Sequence, residues 1–301
     1  MSEAKKGVLA MVLACTIWGF SGIYYKAIAH VPPPEVLAHR TLWSLVFFVA
    51  VLAVQGRLGL LPRLLGGRAL ATVAVAAAMI SANWFFFIWS IQSGHAIEAS
   101  LGFYIFPLVA VMIGLFAFRE GLSRAQWAAV ALAALAVVIL TAGLGAAPWI
   151  ALLLAATFGA YGLLKRRIEA GPVVSVAAEV ALLAPVALVW LWGVHTGRWG
   201  AGGGAFGRDW PDTAMLAFSG IITGGPLMLF SYATKRVRMA TVGLVQYLNP
   251  TLQFAVAALV FAEPVTRWHL IAFPLIWAAL GLYSLSVLQS ERRRRALPVA
   301  G

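Results

Sequence analysis

Three ionisable side chains, Glu179, His39 and Arg40, lie several residues deep inside long apolar runs of this sequence, where a charge is costly. Glu179 lies seven residues after Pro172, within the apolar run 172–193. At 1.5 Å per helical residue, that places it roughly 10 Å from the beginning of the run. A carboxylate at that depth is protonated, paired with a cation or exposed to a water-filled cavity, and by default it marks a functional pathway.

His39 and Arg40 occupy a comparable depth in the run 35–54, and Glu35 precedes His39 by one helical turn. Glu35 and His39 share a helix face, because residues four apart are neighbours on a helix. We predict that His39, Arg40 and Glu179 form a polar network that binds a charged substrate group or changes its protonation. The sequence leaves open the alternative of a helix-to-helix ion pair that only sets packing.

A later apolar run, 239–261, carries Gln246, Asn249 and Gln253 at spacings of three and four, beside Pro250. These side chains lie on one helix face. A proline frees backbone carbonyls, which are tolerated in a membrane only where they are buried in protein or face a cavity. We predict that this helix lines a central site and that Pro250 is a hinge.

An earlier run, 97–118, has a similar pattern, with Ser100, Tyr104 and Pro107 at spacings of four and three. Pro107 is therefore predicted as a second hinge. Tyr104 and Tyr247 are predicted to flank the substrate from matching positions in the two runs.

Further polar residues are candidates for the same pathway. Asn83, Gln246 and Asn249 are predicted to supply hydrogen bonds, and Tyr25 is a candidate at the end of the first apolar run. The alternative for the amides is hydrogen bonding between helices, worth about 0.6 kcal/mol per contact. Tyr25 and Lys165 are also explained as anchors at the membrane interface.

Motifs of known enzyme chemistry are missing from the sequence. It contains no His-Glu-x-x-His, no Gly-x-Ser-x-Gly and no Walker motif. The five histidines are dispersed, and the single cysteine, Cys15, excludes an intrachain disulfide and a cysteine-based metal site. We therefore predict no metal, no cofactor and no enzymatic activity.

The composition is that of a membrane protein. Hydrophobic residues make up 62% of the chain and charged residues 11%, against about 45–50% and about 25% in soluble domains. The net charge of +12 comes from short basic clusters between apolar runs. That is the positive-inside pattern rather than a nucleic-acid-binding stripe.

Ten apolar runs are long enough to be read as membrane-spanning helices. If both termini are cytoplasmic, most of the 22 Lys and Arg residues face the cytoplasm. The N-terminal run resembles a secretory signal, but we expect it to stay uncleaved. The outer connection 194–212 contains three consecutive glycines and is predicted to be a flexible loop. The runs are 7–28, 35–54, 69–90, 97–118, 125–143, 148–164, 172–193, 213–233, 239–261 and 269–288.

The chain contains an internal repeat. An offset of 143 residues pairs Pro107 with Pro250 and Tyr104 with Tyr247, and an offset of 140 pairs His39 with Glu179. We predict two five-helix repeats, 7–143 and 148–288, followed by a basic cytoplasmic tail, 289–301. Because five is odd, the second repeat is inverted relative to the first, as in many secondary transporters.

Several stretches carry a resemblance to a known family. They are Glu35 to Ser44, Asn83 to Trp89, Gly94 to Gly102 and Gln246 to Gln253. Together they resemble the RarD branch of EamA-type proteins, in the drug/metabolite transporter superfamily. The resemblance implies ten helices in a five-plus-five inverted arrangement, a bacterial inner-membrane location, export of small metabolites or drugs, and no cofactor.

The predicted function is a secondary transporter that exports a small polar metabolite or drug by alternating access. A flippase for lipid-linked intermediates is the nearest alternative, and an intramembrane enzyme is an alternative of another class. The expected partners are a small-molecule substrate and membrane lipids, without nucleic acid. Proton exchange, facilitated diffusion and the oligomeric state are left open by the sequence.

Overall fold

The protein is helical throughout the part of the chain described by the computed structural model, residues 2–118, 122–145, 147–199, 203–237 and 239–296. Those residues contain no β-strand beyond one isolated bridge, between Phe206 and Asp209. The prediction of an all-helical protein is confirmed. The helices are α1 (Glu3–Ala27), α2 (Pro33–Val54), α3 (Leu61–Leu64), α4 (Gly67–Gln92), α5 (Ala96–Phe118), α6 (Arg124–Leu144), α7 (Trp149–Lys165), α8 (Pro172–His195), α9 (Trp210–Thr234), α10 (Met239–Gln246), α11 (Leu248–Ala255) and α12 (Arg267–Ala296).

Seven of the described helices, α1, α2, α4, α6, α8, α9 and α12, are long and apolar enough to cross a membrane. Ala96–Val109 of α5 and the whole of α7 are shorter apolar stretches. Most predicted runs end within about four residues of a helix end. One exception is α12, which continues as a helix through Ala296 and so includes much of the predicted tail 289–301.

Local sequence explains where several helices begin. Ser123 and Gln126 form a capping box at the start of α6, in which each side chain bonds to the backbone N–H of the other residue. Asp209 caps α9 by accepting from the Asp212 N–H at 2.8 Å. Pro172 opens α8, where its missing N–H has no intrahelical partner to lose.

The run 239–261 is the place where the helix pattern departs most from the sequence prediction. It consists of α10, a break at Tyr247, α11 and a π-helical turn, Val256–Val260. Pro250 explains the break, because it cannot donate to the carbonyl of Gln246 and its ring crowds that carbonyl. Pro107, by contrast, lies inside the continuous helix α5.

The principal helix contacts join the first half of the chain to the second. The pairs are α5 with α7, α6 with α12, α2 with α8 and α9, α1 with α9 and α11, and α4 with α7. Glycines permit these close approaches. A Cβ atom added at Gly102 of α5 would lie 2.8 Å from the Ala151 carbonyl oxygen of α7, and one added at Gly220 of α9 would lie 2.4 Å from that of Trp43 of α2. Small residues at helix crossings are typical of membrane bundles.

The connection between α8 and α9 packs on α2 in its described part. The Ala205 N–H donates to the Glu35 carboxylate at 2.6 Å, and the Phe206 ring stacks on His39 with centroids 4.8 Å apart. The glycine-rich segment predicted as a flexible loop therefore leads into a stretch that contacts the beginning of α2. Residues 200–202 lie outside the described chain.

Candidate substrate site

Tyr104 and Tyr247, the two matching tyrosines of the repeat, line one cavity of about 500 Å³. Its walls come from α5, α10, α11 and α12. The Tyr104 hydroxyl lies 2.7 Å from the Thr251 hydroxyl, and its ring packs edge-on against Phe273 with centroids 5.8 Å apart. Tyr247 and Thr251 share a helix face because they are four residues apart. The structure thus brings the predicted tyrosine pair to a common cavity.

The chemistry of this cavity is aromatic and hydroxylic. Trp277 adds an indole and Ser284 a hydroxyl to the two tyrosines and Thr251. None of the described lining side chains carries a charge. Such a surface can stack on a flat apolar group and hydrogen-bond to one or two polar groups, which is the usual character of a small-molecule site.

The predicted amides of α10 and α11 do not line this cavity. Gln253 donates from Nε2 to Asn249 Oδ1 at 3.1 Å, and Gln253 Oε1 is buried without a hydrogen-bond partner. A Cβ atom added at Gly19 of α1 would lie 3.3 Å from the Asn249 carbonyl. Asn249 is not among the residues that line the cavity, and it is its backbone carbonyl that lies beside α1. Gln246 is half-buried.

Asn83 connects two helices of different halves. Its Nδ2 donates to the Leu154 carbonyl at 3.0 Å and to the Thr157 hydroxyl at 3.1 Å, so it joins α4 to α7. Both described hydrogen bonds of the Asn83 side chain are accepted by atoms of α7. This is the arrangement expected of a hydrogen bond between packed helices.

Arg40 forms a buried cluster with two aromatic side chains. Its Nη1 donates to the Tyr25 hydroxyl at 2.6 Å. Its guanidinium carbon lies 4.1 Å from the centroid of the Trp84 ring and 5.6 Å from that of the Tyr25 ring. Arg40 is 7% exposed and Tyr25 is 1% exposed. The aromatic faces stabilise the cation, although no carboxylate neutralises it among the described ion pairs.

Glu179 has a different set of partners. Lys165 Nζ donates to Glu179 Oε1 at 2.6 Å, and the Tyr161 hydroxyl donates to Oε2 at 3.0 Å. Lys165 also bonds to the Ser175 hydroxyl. The Glu179 side chain is fully buried. A buried carboxylate is tolerated in this way when a cation and a hydroxyl satisfy its oxygens.

The four predicted network residues therefore have separate partners, since no described hydrogen bond or ion pair joins Glu179 to His39 or Arg40. Phe48 of α2 packs near the beginning of α8, and Ala38 near its end, so the two helices are antiparallel. Arg40 and Glu179 each lie near the beginning of their own helix. They are thus on the order of 10 Å apart along the bundle. His39 and Glu35 contact the α8–α9 connection instead.

Sequence reasoning missed the direct partners Trp84, Tyr161 and Thr251, and it treated Lys165 as an interfacial anchor. A signal for Lys165 was present, because the offset of 140 residues pairs it with Tyr25. Tyr161 precedes Lys165 by four residues and so shares its helix face. Trp84 carried no such signal, since its contact with Arg40 joins two helices that the sequence does not pair.

Among the described residues, no three His, Cys, Asp or Glu side chains come together as a metal site. A second, smaller cavity of about 220 Å³ is lined by His95, Glu98 and His269 together with apolar residues. Glu98 accepts from the Ile150 N–H at 2.8 Å and thereby caps the beginning of α7. The Glu98 carboxylate is therefore already hydrogen-bonded to the backbone of α7.

Comparisons with known proteins agree on one family. The sequence pattern of the EamA-like transporter family matches this chain twice, over residues 5–142 and 146–285. The chain is 38% identical to Protein RarD of Streptomyces exfoliatus, over 98% of this chain and 93% of that protein. It is 36% identical to an uncharacterized transporter of Vibrio cholerae, over 97% of this chain and 96% of the relative.

A solved crystal structure has the same fold. It is 18% identical to this chain and superposes with a TM-score of 0.59, covering 93% of this chain and 98% of its own. The relatives are bacterial, and seven described helices have the length and apolar composition of membrane spans. The chain is therefore a multi-pass protein of the bacterial inner membrane.

Proposed function

This chain belongs to the RarD branch of the EamA-like transporter family, and from that membership we propose that it is a secondary transporter that exports a small polar metabolite or drug. Family membership indicates a transporter rather than an enzyme. The main evidence for the proposed substrate site is the cavity that Tyr104 and Tyr247 both line. Its volume of about 500 Å³ lies within the range of small-molecule sites, roughly 300–1,000 Å³.

The proposed architecture has ten spans in two inverted halves, 7–143 and 148–288, with both termini in the cytoplasm. The double match of the family pattern and the repeat offsets support it. In such proteins, transport follows from rocking one half against the other around a site near the middle of the membrane. The break between α10 and α11 supports this, because interrupted helices are typical of transporter binding sites.

The two buried polar clusters are proposed to act in the transport cycle. Arg40 with Tyr25 lies near the beginning of α2, and Glu179 with Lys165 lies near the beginning of α8. In the proposed orientation these are the outer and inner sides of the bundle. Each cluster lies within one half, so it would stay together as the halves rock, and each can respond to a substrate or to a proton on its own side. His39 and Glu35 lie beside the outer cluster and contact the α8–α9 connection.

A flippase for lipid-linked intermediates is the second candidate, and one observation favours it. Leu244, Trp277 and Leu285 line the cavity and are also exposed on the surface of the bundle, so the cavity opens sideways between α10 and α12. A lipid carrier could enter by that route. Among the described lining residues, however, none is a basic residue that would bind a pyrophosphate or phosphate headgroup.

The experiment that tests the proposal is untargeted metabolite analysis of cells and medium. Cells express the wild type, Tyr247→Ala, Tyr232→Ala or an empty vector, with matched protein levels. Tyr232 is a suitable control because it lies on α9, is exposed and stacks on Arg236. We expect one small polar compound to accumulate outside with the wild type and Tyr232→Ala, and roughly tenfold less with Tyr247→Ala.

Two results would contradict the exporter. The first is a medium that is the same with the wild type and with the empty vector. The second is redistribution of a lipid-linked intermediate without change in any soluble compound, which would establish the flippase instead. Equal export by Tyr247→Ala and Tyr232→Ala would remove the cavity from the pathway while leaving export itself intact.

A further inference from the structure

Buried polar atoms without a partner are concentrated on one segment of α2. Five such side-chain atoms occur in the described chain, and three of them are His39 Nε2, Arg40 Nε and Ser44 Oγ. Buried polar atoms are hydrogen-bonded in the great majority of cases, so each exception requires an explanation, such as a ligand or a water. Three exceptions within six residues indicate a site and not a packing defect.

Arg40 is the member that carries a charge. Its single described hydrogen bond runs from Nη1 to the Tyr25 hydroxyl, and no described acidic side chain forms an ion pair with it. The other deeply placed cation, Lys165, is paired with Glu179. The fold thus neutralises one buried cation with its own carboxylate and leaves the other without an anion. An unpaired buried charge is costly and marks a functional site in a membrane bundle.

The geometry of Arg40 leaves one edge of the guanidinium free. Trp84 covers its face at 4.1 Å, and Tyr25 accepts from Nη1. On the opposite edge, Nε is buried without a hydrogen-bond partner, and no described hydrogen bond uses Nη2. Two parallel N–H donors of this kind match the two oxygens of a carboxylate, whereas a lysine ammonium would act only as a point charge.

We propose that Arg40 binds the carboxylate of the transported molecule through its Nε–Nη2 edge, and that the substrates are therefore small carboxylic acids. Ser44 lies one turn further on the same face of α2 and supplies a hydroxyl to the same group. The surrounding rings of Tyr25 and Trp84 fit an apolar or aromatic body attached to the acid. This inference rests on the proposed transport function and adds the chemical class of the substrate.

Binding is tested with the full-length protein in detergent, by thermal unfolding with three acids and their amides as probes. The pairs are acetate with acetamide, benzoate with benzamide, and succinate with succinamide. At least one acid is expected to raise the Tm of the wild type while its amide does not. The shift is expected to disappear in Arg40→Gln. In Arg40→Lys, which keeps the charge but loses the parallel donors, the acid is expected to bind roughly tenfold more weakly.

Arg198→Gln is the matched control. The Arg198 guanidinium also lies over a tryptophan ring, that of Trp192 at 4.3 Å, but Arg198 is exposed. Its substitution is expected to leave the acid-dependent shift unchanged. Should Arg40→Gln fail to fold, Ser44→Ala takes its place, because it keeps the cation and removes one donor. An unchanged shift in both Arg40→Lys and Ser44→Ala would overturn the site.

The test of the carboxylate site and the test of export can give different results, so the two proposals can fail independently. Equal responses of the wild type to every acid and its amide overturn the carboxylate site, whether or not the cells export a compound. Export of a compound without a carboxyl group also overturns it and leaves the transporter standing. Conversely, the purified protein could show an Arg40-dependent shift in Tm while cells that express it export no compound. That result would support the site and contradict the exporter.

Discussion

At the scale of single residues, the Glu179–Lys165 ion pair is the feature with the clearest energetic consequence. The Glu179 side chain is fully buried and that of Lys165 is 21% exposed, so water screens their attraction poorly. Tyr161 and Ser175 satisfy further hydrogen-bonding positions of the pair. Its two members therefore depend on each other, and removing one leaves a buried charge without a partner.

We expect Glu179→Gln to lower the free energy of unfolding by about 3 kcal/mol, because Lys165 then remains charged without its carboxylate. Replacing both residues, as Lys165→Met with Glu179→Leu, is expected to cost less than the single change, since both charges are removed. Unfolding of the purified protein in detergent measures the difference. The control is Glu3→Gln, which removes the ion pairs of the exposed Glu3 carboxylate with Lys6 and Arg236 and is expected to cost less than about 1 kcal/mol.

The same variants separate packing from transport. If the double variant is stable and transports at the wild-type rate, the ion pair only sets the packing of α7 and α8, and its predicted role in transport is wrong. If it is stable and inactive, the charges themselves act in the cycle.

At the scale of helices, the interruption between α10 and α11 is the irregularity that lies at the candidate cavity. Tyr247 stands at the break and lines the cavity, while Asn249 and Gln253 bond to each other on another face. Pro250 causes the interruption by removing a backbone hydrogen bond to Gln246. The π-helical turn Val256–Val260 adds a second irregularity to the same span. Such turns occur frequently at functional sites.

We expect Pro250→Ala to raise the stability of the protein by roughly 1 kcal/mol and to slow transport. The new N–H can donate to the Gln246 carbonyl and join α10 to α11, which stiffens the span. Thermal unfolding and export rates measured on the same variant check both effects. The matched control is Pro185→Ala, at an exposed proline inside the continuous helix α8. Export by Pro250→Ala at the wild-type rate would show that the break is not a hinge.

At the scale of the whole molecule, the two halves of the chain pack on each other more than on themselves. The closest approaches occur at glycines, where a methyl group would strike the backbone of a helix from the other half. Because these contacts lie between the halves, any movement of one half against the other must change them.

We expect Gly220→Ala to destabilise the protein by about 1–3 kcal/mol, because the new methyl group would lie 2.4 Å from the Trp43 carbonyl and force α2 and α9 apart. Gly225→Ala on the same helix is the control, since no atom outside its own helix lies within 4 Å of the added carbon. That variant is expected to be neutral or slightly stabilising, because alanine favours a helix over glycine. Equal thermal stabilities of the two variants would contradict the close packing of α2 on α9.

The sequence by itself determined the class of the protein and the approximate ends of most of its helices. Long apolar runs have one stable form in a bilayer, the helix, because every backbone group must be bonded within the segment. The repeat offset also pairs Tyr104 with Tyr247, the two tyrosines that line one cavity. These predictions rest on hydropathy, residue spacing and internal repeats, which are properties of the sequence alone.

The tertiary structure decided which side chains meet. Glu179 pairs with Lys165 and not with His39 or Arg40, because antiparallel packing of α2 and α8 separates the beginnings of those helices. The Asn249 side chain accepts from Gln253 and does not line the cavity that Tyr247, two residues earlier, does line. Partners across helices depend on the rotation and crossing of segments far apart in sequence, which no local pattern of the chain records.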